Sequence, residues 1–269
     1  MWQKTYYIIW MFLFFCTAHS PLYAGSQQNP SQNLVSLEDA LPFAKRVERY
    51  AAQRGARVFI IARLGSPKSD LPEGIDFTHV GLAVYSNIKT SEGEIIKGYA
   101  IHNLYQDPQT LDVSHLVTDY PVDFFMGAVE LKAGILLPSP KLQTKLLRSL
   151  ESGRNTKLHN YNYSIVSNPY SMTYQNCTEH ILDVLFASIY ATDSVAQIKA
   201  NQKAYFSAHA IKVSPFKRLL APMFSSDIKM GDHRDDIQVT TFTTISKFLH
   251  DYGLATSYAI LDQDGVHEL

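Results

Sequence analysis

The stretch "YQNCTEHILDVLF", Tyr174 to Phe186, carries a cysteine where a helix should begin. Asn176 is a good N-cap and Glu179 stands three residues on, the spacing of a capping box. Ile181, Leu182, Leu185 and Ile189 recur at helical spacing as an apolar face. This places Cys177 at the first helical position. Unpaired backbone N–H groups and the positive end of the helix dipole favour a thiolate there. The bland alternative is a buried, inert thiol acting as a small hydrophobe.

A nucleophilic thiolate needs a base, and histidine is the usual one. The strand-like run "DFTHVGLAVYS", Asp76 to Ser86, places His79 on one face with Gly81, Ala83 and Tyr85. Small neighbours on that face leave room for a reacting group. The next alternating run, "EIIKGYAIHNLYQ", puts Ile96, Gly98, Ala100, His102 and Leu104 on one face. "NIKTSEG" between the runs is the expected hairpin turn. A pairing centred between Thr90 and Ser91 sets His79 opposite His102 and Tyr85 opposite Ile96. Cross-strand Cβ atoms on one face stand about 5 Å apart, so one imidazole would orient the other. The expected constellation is Cys177 as nucleophile, His79 as general base and His102 as the group fixing its tautomer. Backbone N–H groups of Cys177 or Thr178 would meet an oxyanion. Asn103 is the weaker orienter, since it falls on the opposite face. His180, one turn beyond Cys177, could also reach it, and Gln175 could donate to an oxyanion.

The elements that must position these residues follow from pattern. Ser36, with Asp39 three residues on, caps a helix whose stripe is Leu41, Ala44, Val47, Tyr50 and Ala51, ending at Gly55. "ARVFIIARLG" is a strand. "PVDFFMGAVELKAGILLP" reads as one or two more. "SPKLQTKLLRSLESG" is a helix with Ser139 as cap, Pro140 at its first position and Gly153 as stop. "DDIQVTTFTTISKFLHDYG" reads as a late helix ending at Gly253, and "TSYAIL" as a last strand. "AYFSAHAIKVSPFKRLLAPMF" has no clear reading. The sum is an α+β arrangement, helices against a small, mainly antiparallel sheet.

The N-terminus reads as a targeting segment: Lys4, the apolar run from Tyr6 to Ala18, then "LYA" with a small residue at the expected cut after Ala24. Residues 1–24 are the expected signal peptide, 25–35 a loose leader, and 36–269 a single domain of a periplasmic or secreted protein. Cys16 and His19 would leave with the signal, so Cys177 would have no intrachain partner in an oxidising compartment. No stable membrane span is expected after cleavage. The chain has 269 residues, 46% of them hydrophobic, enough for a sizeable core. Its 24 basic and 25 acidic residues nearly cancel and form no basic block, which excludes a nucleic-acid footprint. No metal or cofactor motif stands out; "GDHRDD" around His233 reads as an exposed polar loop rather than an ion site.

"FTHVGLAVY", "YAIHNLYQ" and "NCTEHILDVL" together resemble the permuted NlpC-type papain-like proteins, which include lecithin retinol acyltransferase and its bacterial relatives. There a strand histidine in "HVGI" comes first, a second histidine follows on the next strand, and "NC" opens a later helix. The resemblance implies a permuted papain-like fold with Cys177, His79 and His102 as a triad and no cofactor. A closer likeness covers most of the chain. "YSIVSNPYSMTYQNCTEHILDVL" and "LVSLEDALPFAKRVERYAAQRGARVFIIARLG" resemble an exported bacterial family, domain of unknown function 2145. That family has no assigned activity, and not all members keep a thiol at the position of Cys177. The expected function is an exported cysteine hydrolase or acyltransferase, attacking an amide or ester of a peptidoglycan peptide or lipid. The alternatives are a non-catalytic papain-like binding module of the cell envelope, or a structural protein with a buried cysteine.

Overall fold

A computed structural model of the chain describes residues 35–211, 229–234 and 236–269. Residues 1–24, the expected signal peptide, and most of the expected leader lie outside the described residues, as do Asp235 and the part of the unassigned 204–224 segment beyond Ile211.

Ser36 accepts a hydrogen bond from the Asp39 N–H and opens helix α1, Leu37–Gln53, which Gly55 ends in the left-handed region. Then come β1 (Val58–Arg63), β2 (His79–Lys89), β3 (Ile95–Gln106) and β4 (Ser114–Asp119). Helix α2 (Pro121–Met126) precedes β5 (Ala133–Pro138) and α3 (Pro140–Glu151), the last capped by Ser139. A short α4 (Arg154–Lys157) leads through a long loop to α5 (Cys177–Tyr190) and α6 (Val195–Tyr205). The strands β6 (His209–Ile211) and β7 (Ile237–Val239) pair with each other; α7 (Phe242–Asp251), β8 (Ala255–Leu261) and β9 (Val266–Glu268) complete the chain.

Seven strands form one sheet in the order β4-β3-β2-β1-β5-β8-β9, each pair antiparallel. Alternation along the strands divides the core into two layers. Phe59, Ile61, Ala83, Ile101 and Ile135 meet α1 and α2 through Phe43, Val47, Phe124 and Phe125. Val58, Ile60, Val80, Leu82 and Leu136 meet α3, α5 and α7 through Leu146, Leu182, Leu185, Phe186 and Phe242. The central strand β1 is buried along its whole length, as a strand covered on both faces must be.

The expected α+β class with a mainly antiparallel sheet is what forms, with two local corrections. The 121–138 segment begins with a helix, not a strand: Pro121 at the first helical position pre-sets φ, and Phe124 and Phe125 both turn inward, Phe125 edge-on to Phe43 at 4.8 Å. The 235–253 segment is a strand followed by a helix. Thr241 divides them by forming a reciprocal capping box with Thr244.

Candidate functional site

Asn176 has extended backbone and its side chain accepts from the Glu179 N–H at 3.0 Å, so α5 starts with Cys177 as expected. The helix has no exposed face until Ile189, however; every residue from Cys177 to Ser188 is buried. Position at the helix start therefore brings no access to water. The Cys177 sulfur packs with Leu104, Leu116 and Tyr163 and donates a weak hydrogen bond to the Thr78 carbonyl at 3.8 Å. Burial pushes the thiol above its ordinary pKa, although N–H groups of Val80, Thr178 and Cys177 and the Arg63 guanidinium pull the other way. The expected thiolate is thus replaced by a neutral thiol, because desolvation outweighs the helix terminus.

The strand register corrects the expected histidine pair. Residue Leu82, not His79, stands opposite His102, and Tyr85 pairs with Tyr99 instead of Ile96. The ladder closes at Lys89 and Ile95 around a turn in which the Thr90 N–H donates to the Glu94 carbonyl and Gly93 takes a φ of 87°. The turn is centred further along the chain than expected, and the slip of three residues moves His102 to the other face. His102 therefore shares the α5 side of the sheet with Leu104, half-buried, with Thr118 Oγ1 3.4 Å from its Nδ1. Burial lowers its pKa. It does not orient His79.

Asn103 does. His79 lies on the α2 side, 2% exposed, stacked on Tyr105 at 4.5 Å with Phe124 at 5.6 Å. Its Nε2 is 3.0 Å from Asn103 Oδ1. The Asn103 amide nitrogen donates to the Ile101 carbonyl at 3.0 Å and to Asp119 Oδ1 at 2.6 Å. Both amide hydrogens are thereby used, so Oδ1 must face the imidazole and Nε2 must carry the proton. Nδ1 keeps a bare lone pair, and it has no hydrogen-bond partner. Gly81 makes this possible: a Cβ there would stand 2.5 Å from Asn103 Oδ1. The Tyr105 hydroxyl donates to Asp119 Oδ2 at 2.8 Å and completes the network.

Electrostatics keep the imidazole neutral. Burial, with the nearby Arg63 cation, takes His79 down to a pKa of about 3, against the opposing Asn103 hydrogen bond. Arg63 pairs with His79 across β1 and β2 and is 1% exposed. Its Nε and Nη1 have no hydrogen-bond partner, and its guanidinium lies 5.2 Å from the Phe124 ring centroid. Burial raises Asp119 to about 7, with Tyr105, Arg63 and Asn103 opposing. Cys177 packs against Leu104, Leu116 and Tyr163, and the Arg63 guanidinium acts electrostatically on both the thiol and His79. Among the described residues no imidazole is hydrogen-bonded to the sulfur, and His79 Nδ1 has no hydrogen-bond partner.

The remaining candidates have structural employment. Gln175 gives its amide hydrogens to Asp183 Oδ2 at 2.7 Å and the Leu158 carbonyl at 3.1 Å. The His180 ring meets the His159 ring edge-on at 6.3 Å, and burial lowers its pKa to about 4. His233 is a buried clasp rather than part of an exposed loop: its Nε2 lies 2.7 Å from the Val166 carbonyl, and neighbouring Asp232 accepts from the Asn168 N–H. Among the described residues no group of three or more His, Cys, Asp or Glu side chains could hold a metal ion.

Sequence reasoning missed Arg63, Tyr105 and Asp119 and discounted Asn103. The alternation of β3 already grouped Ile101, Asn103 and Tyr105, so the correct turn would have brought these to His79. Asp119 ends a strand just before "YP", which gave no signal of burial.

Fold and site together define an α+β protein: an antiparallel sheet clad in helices, with a buried thiol that is the only one among the described residues, and a buried imidazole–amide–carboxylate relay. The chain belongs to the DUF2145 family, an uncharacterized protein family conserved in bacteria, whose model matches residues 50–249. No curated protein and no solved structure matches it.

Proposed function

We propose that this chain is a non-catalytic binding module of the bacterial cell envelope, built on a permuted papain-like framework of the NlpC type. The apolar run from Tyr6 to Ala18 supports export. A cysteine opening a helix against a sheet, with a histidine at the start of one strand and an amide on the next, supports the framework. The observation that carries the reading is the state of Cys177: buried, hydrogen-bonded to the Thr78 carbonyl and without an imidazole partner. Even a free thiol of ordinary pKa is only a few per cent thiolate at neutral pH, and burial raises this one. The test is thiol labelling at pH 7.5, folded and in urea, beside incubation with peptidoglycan fragments and phospholipids read by mass spectrometry. Labelling confined to the unfolded protein, with no product from wild type or Cys177→Ala, supports the module. A Cys177-dependent product overturns it.

A second reading is favoured by the bare Nδ1 of His79, held ready by Asn103 and Asp119. In it the chain is a cysteine hydrolase or acyltransferase in an occluded state, with Asn103 in the role expected of His102. The start of α5 would have to move until the sulfur came within about 4 Å of Nδ1. With its proton taken by His79 Nδ1, the sulfur would then attack an amide or ester carbonyl; the C–N or C–O bond would break, the amine or alcohol would leave with that proton, and water or another acceptor would release the acyl-enzyme. Fast labelling of the folded protein, lost in His79→Ala, selects this reading over the first.

A further inference from the structure

Glu179 and Asp183 of α5 border a groove of about 500 Å³, within the range of small-ligand sites. Its walls include Tyr161 and Met172, which leave 64% and 59% of their surface exposed, and Tyr174. Its floor is ionic and buried. Lys199 donates to Glu179 Oε1 at 2.6 Å and Asp183 Oδ1 at 2.7 Å, so two carboxylates share one ammonium. Asp183 is further satisfied by Gln175 and Gln202. Glu179 is satisfied at one oxygen only: it is 1% exposed and its Oε2 has no hydrogen-bond partner, although the Ser167 hydroxyl, also without a partner, is near enough to lower its pKa. A buried acidic side chain with one oxygen unpaired, at the base of a groove with apolar walls, is complementary to a cation on an apolar stem.

We infer that this groove binds a primary ammonium group carried on an aliphatic chain, as on a lysine-like side chain of an envelope peptide. The inference rests on the binding-module reading and gives it a ligand class. The stem lies along Met172 and Tyr161, and the ammonium balances Glu179. The charged and titratable groups facing Glu179 are few. Asp183 and His180 share its helix, Lys199 comes from α6, and His159 stands across from His180. Burial holds both histidines neutral, and Lys157 on the rim is turned to Asp193 at 3.5 Å. Burial and Asp183 raise Glu179 to about 8 against the pull of Lys199, so at neutral pH an arriving ammonium displaces its proton to solvent.

The test is calorimetric titration of the full chain with Nα-acetyl-lysine methylamide and its norleucine counterpart, the samples then read by mass spectrometry. The lysine probe should bind at least about tenfold more tightly than the norleucine probe. Its affinity should rise about tenfold from pH 7 to pH 9 as Glu179 loses its proton. Both preferences should vanish in Glu179→Gln, which keeps the Lys199–Asp183 pair and hence the fold. Tyr161→Ala, at the exposed rim, should weaken both probes alike. No binding, equal binding of the probes or an unchanged Glu179→Gln overturns the ammonium site and leaves the binding-module reading standing. Cys177-dependent turnover of a probe overturns that reading instead.

Discussion

Replacing Asn103 by leucine should cost far more than removing His102, and the difference follows from the β2–β3 register. Asn103 fills a buried position from which one amide serves three partners: His79 Nε2, Asp119 Oδ1 and the Ile101 carbonyl. Leucine matches its shape and removes every one of these bonds. The imidazole N–H and the carboxylate oxygen are left buried and unpaired, at about 1–3 kcal/mol each, or about 4 kcal/mol together. The carboxylate loses least if it is protonated, so the measurement belongs at pH 8, above the Asp119 pKa of about 7. His102→Ala removes a half-buried ring whose hydrogen bond is a 3.4 Å contact with Thr118, about 1 kcal/mol. In a domain of this size 1 kcal/mol moves the midpoint by about 2–4 °C, so Asn103→Leu should lower Tm by about 8–16 °C and His102→Ala by about 2–4 °C. Thermal unfolding followed by circular dichroism decides it. If His102→Ala equals or exceeds Asn103→Leu, the two histidines are coupled across the strands and the relay described above is wrong.

Further outcomes test other parts of the interior. Lys199→Met leaves the buried Asp183 carboxylate without its cation and should cost about 3–5 kcal/mol in urea unfolding, whereas Glu179→Gln should cost no more than about 1 kcal/mol because Asp183 keeps its cation; the reverse order would show that the cluster is solvated. Asp119 has a folded-state pKa raised from 3.8 to about 7, so the folded chain holds a proton that the unfolded chain has lost in that window. Its stabilisation is complete below about pH 4 and is lost as pH rises through about 7, at most about 4 kcal/mol. The stability difference between Asp119→Asn and wild type should therefore shift in favour of the variant from pH 4 to pH 8; a flat difference refutes the raised pKa. Gly127→Ala would drive a methyl group into the Arg63 guanidinium and should cost about 1–3 kcal/mol in the same assay, with unchanged stability meaning that the arginine is free to move.

Local chemistry made much of the architecture legible. Ser36, Ser139 and Asn176 each mark a helix start by the same mechanism, a short polar side chain accepting an N–H of the first turn, and all three caps form. The apolar runs of β1, β2 and β3 read directly as strands. The run at 121–138 did not, because a short apolar stretch fits a helix turn and a strand equally until its neighbours are known. Parity on each strand was also legible: His79 with Gly81, and Asn103 with Tyr105. What no single strand contains is the offset between two of them. A turn of five residues in place of an even-numbered one exchanged His102 for Asn103 as the neighbour of His79.

Residue pattern along the chain was enough to show that Cys177 begins a capped helix, that two alternating strands carry the imidazoles, and that helices cover an antiparallel sheet. These depend on contacts within a few residues along the chain, where residue type is decisive. Only packing between distant segments makes the sulfur dry and neutral, wires His79 to Asn103 and Asp119, and leaves one oxygen of Glu179 unpaired beneath a groove. Those properties depend on which groups, distant in sequence, exclude water from one another. Desolvation is set by the whole packed neighbourhood, which a local pattern of residues does not encode.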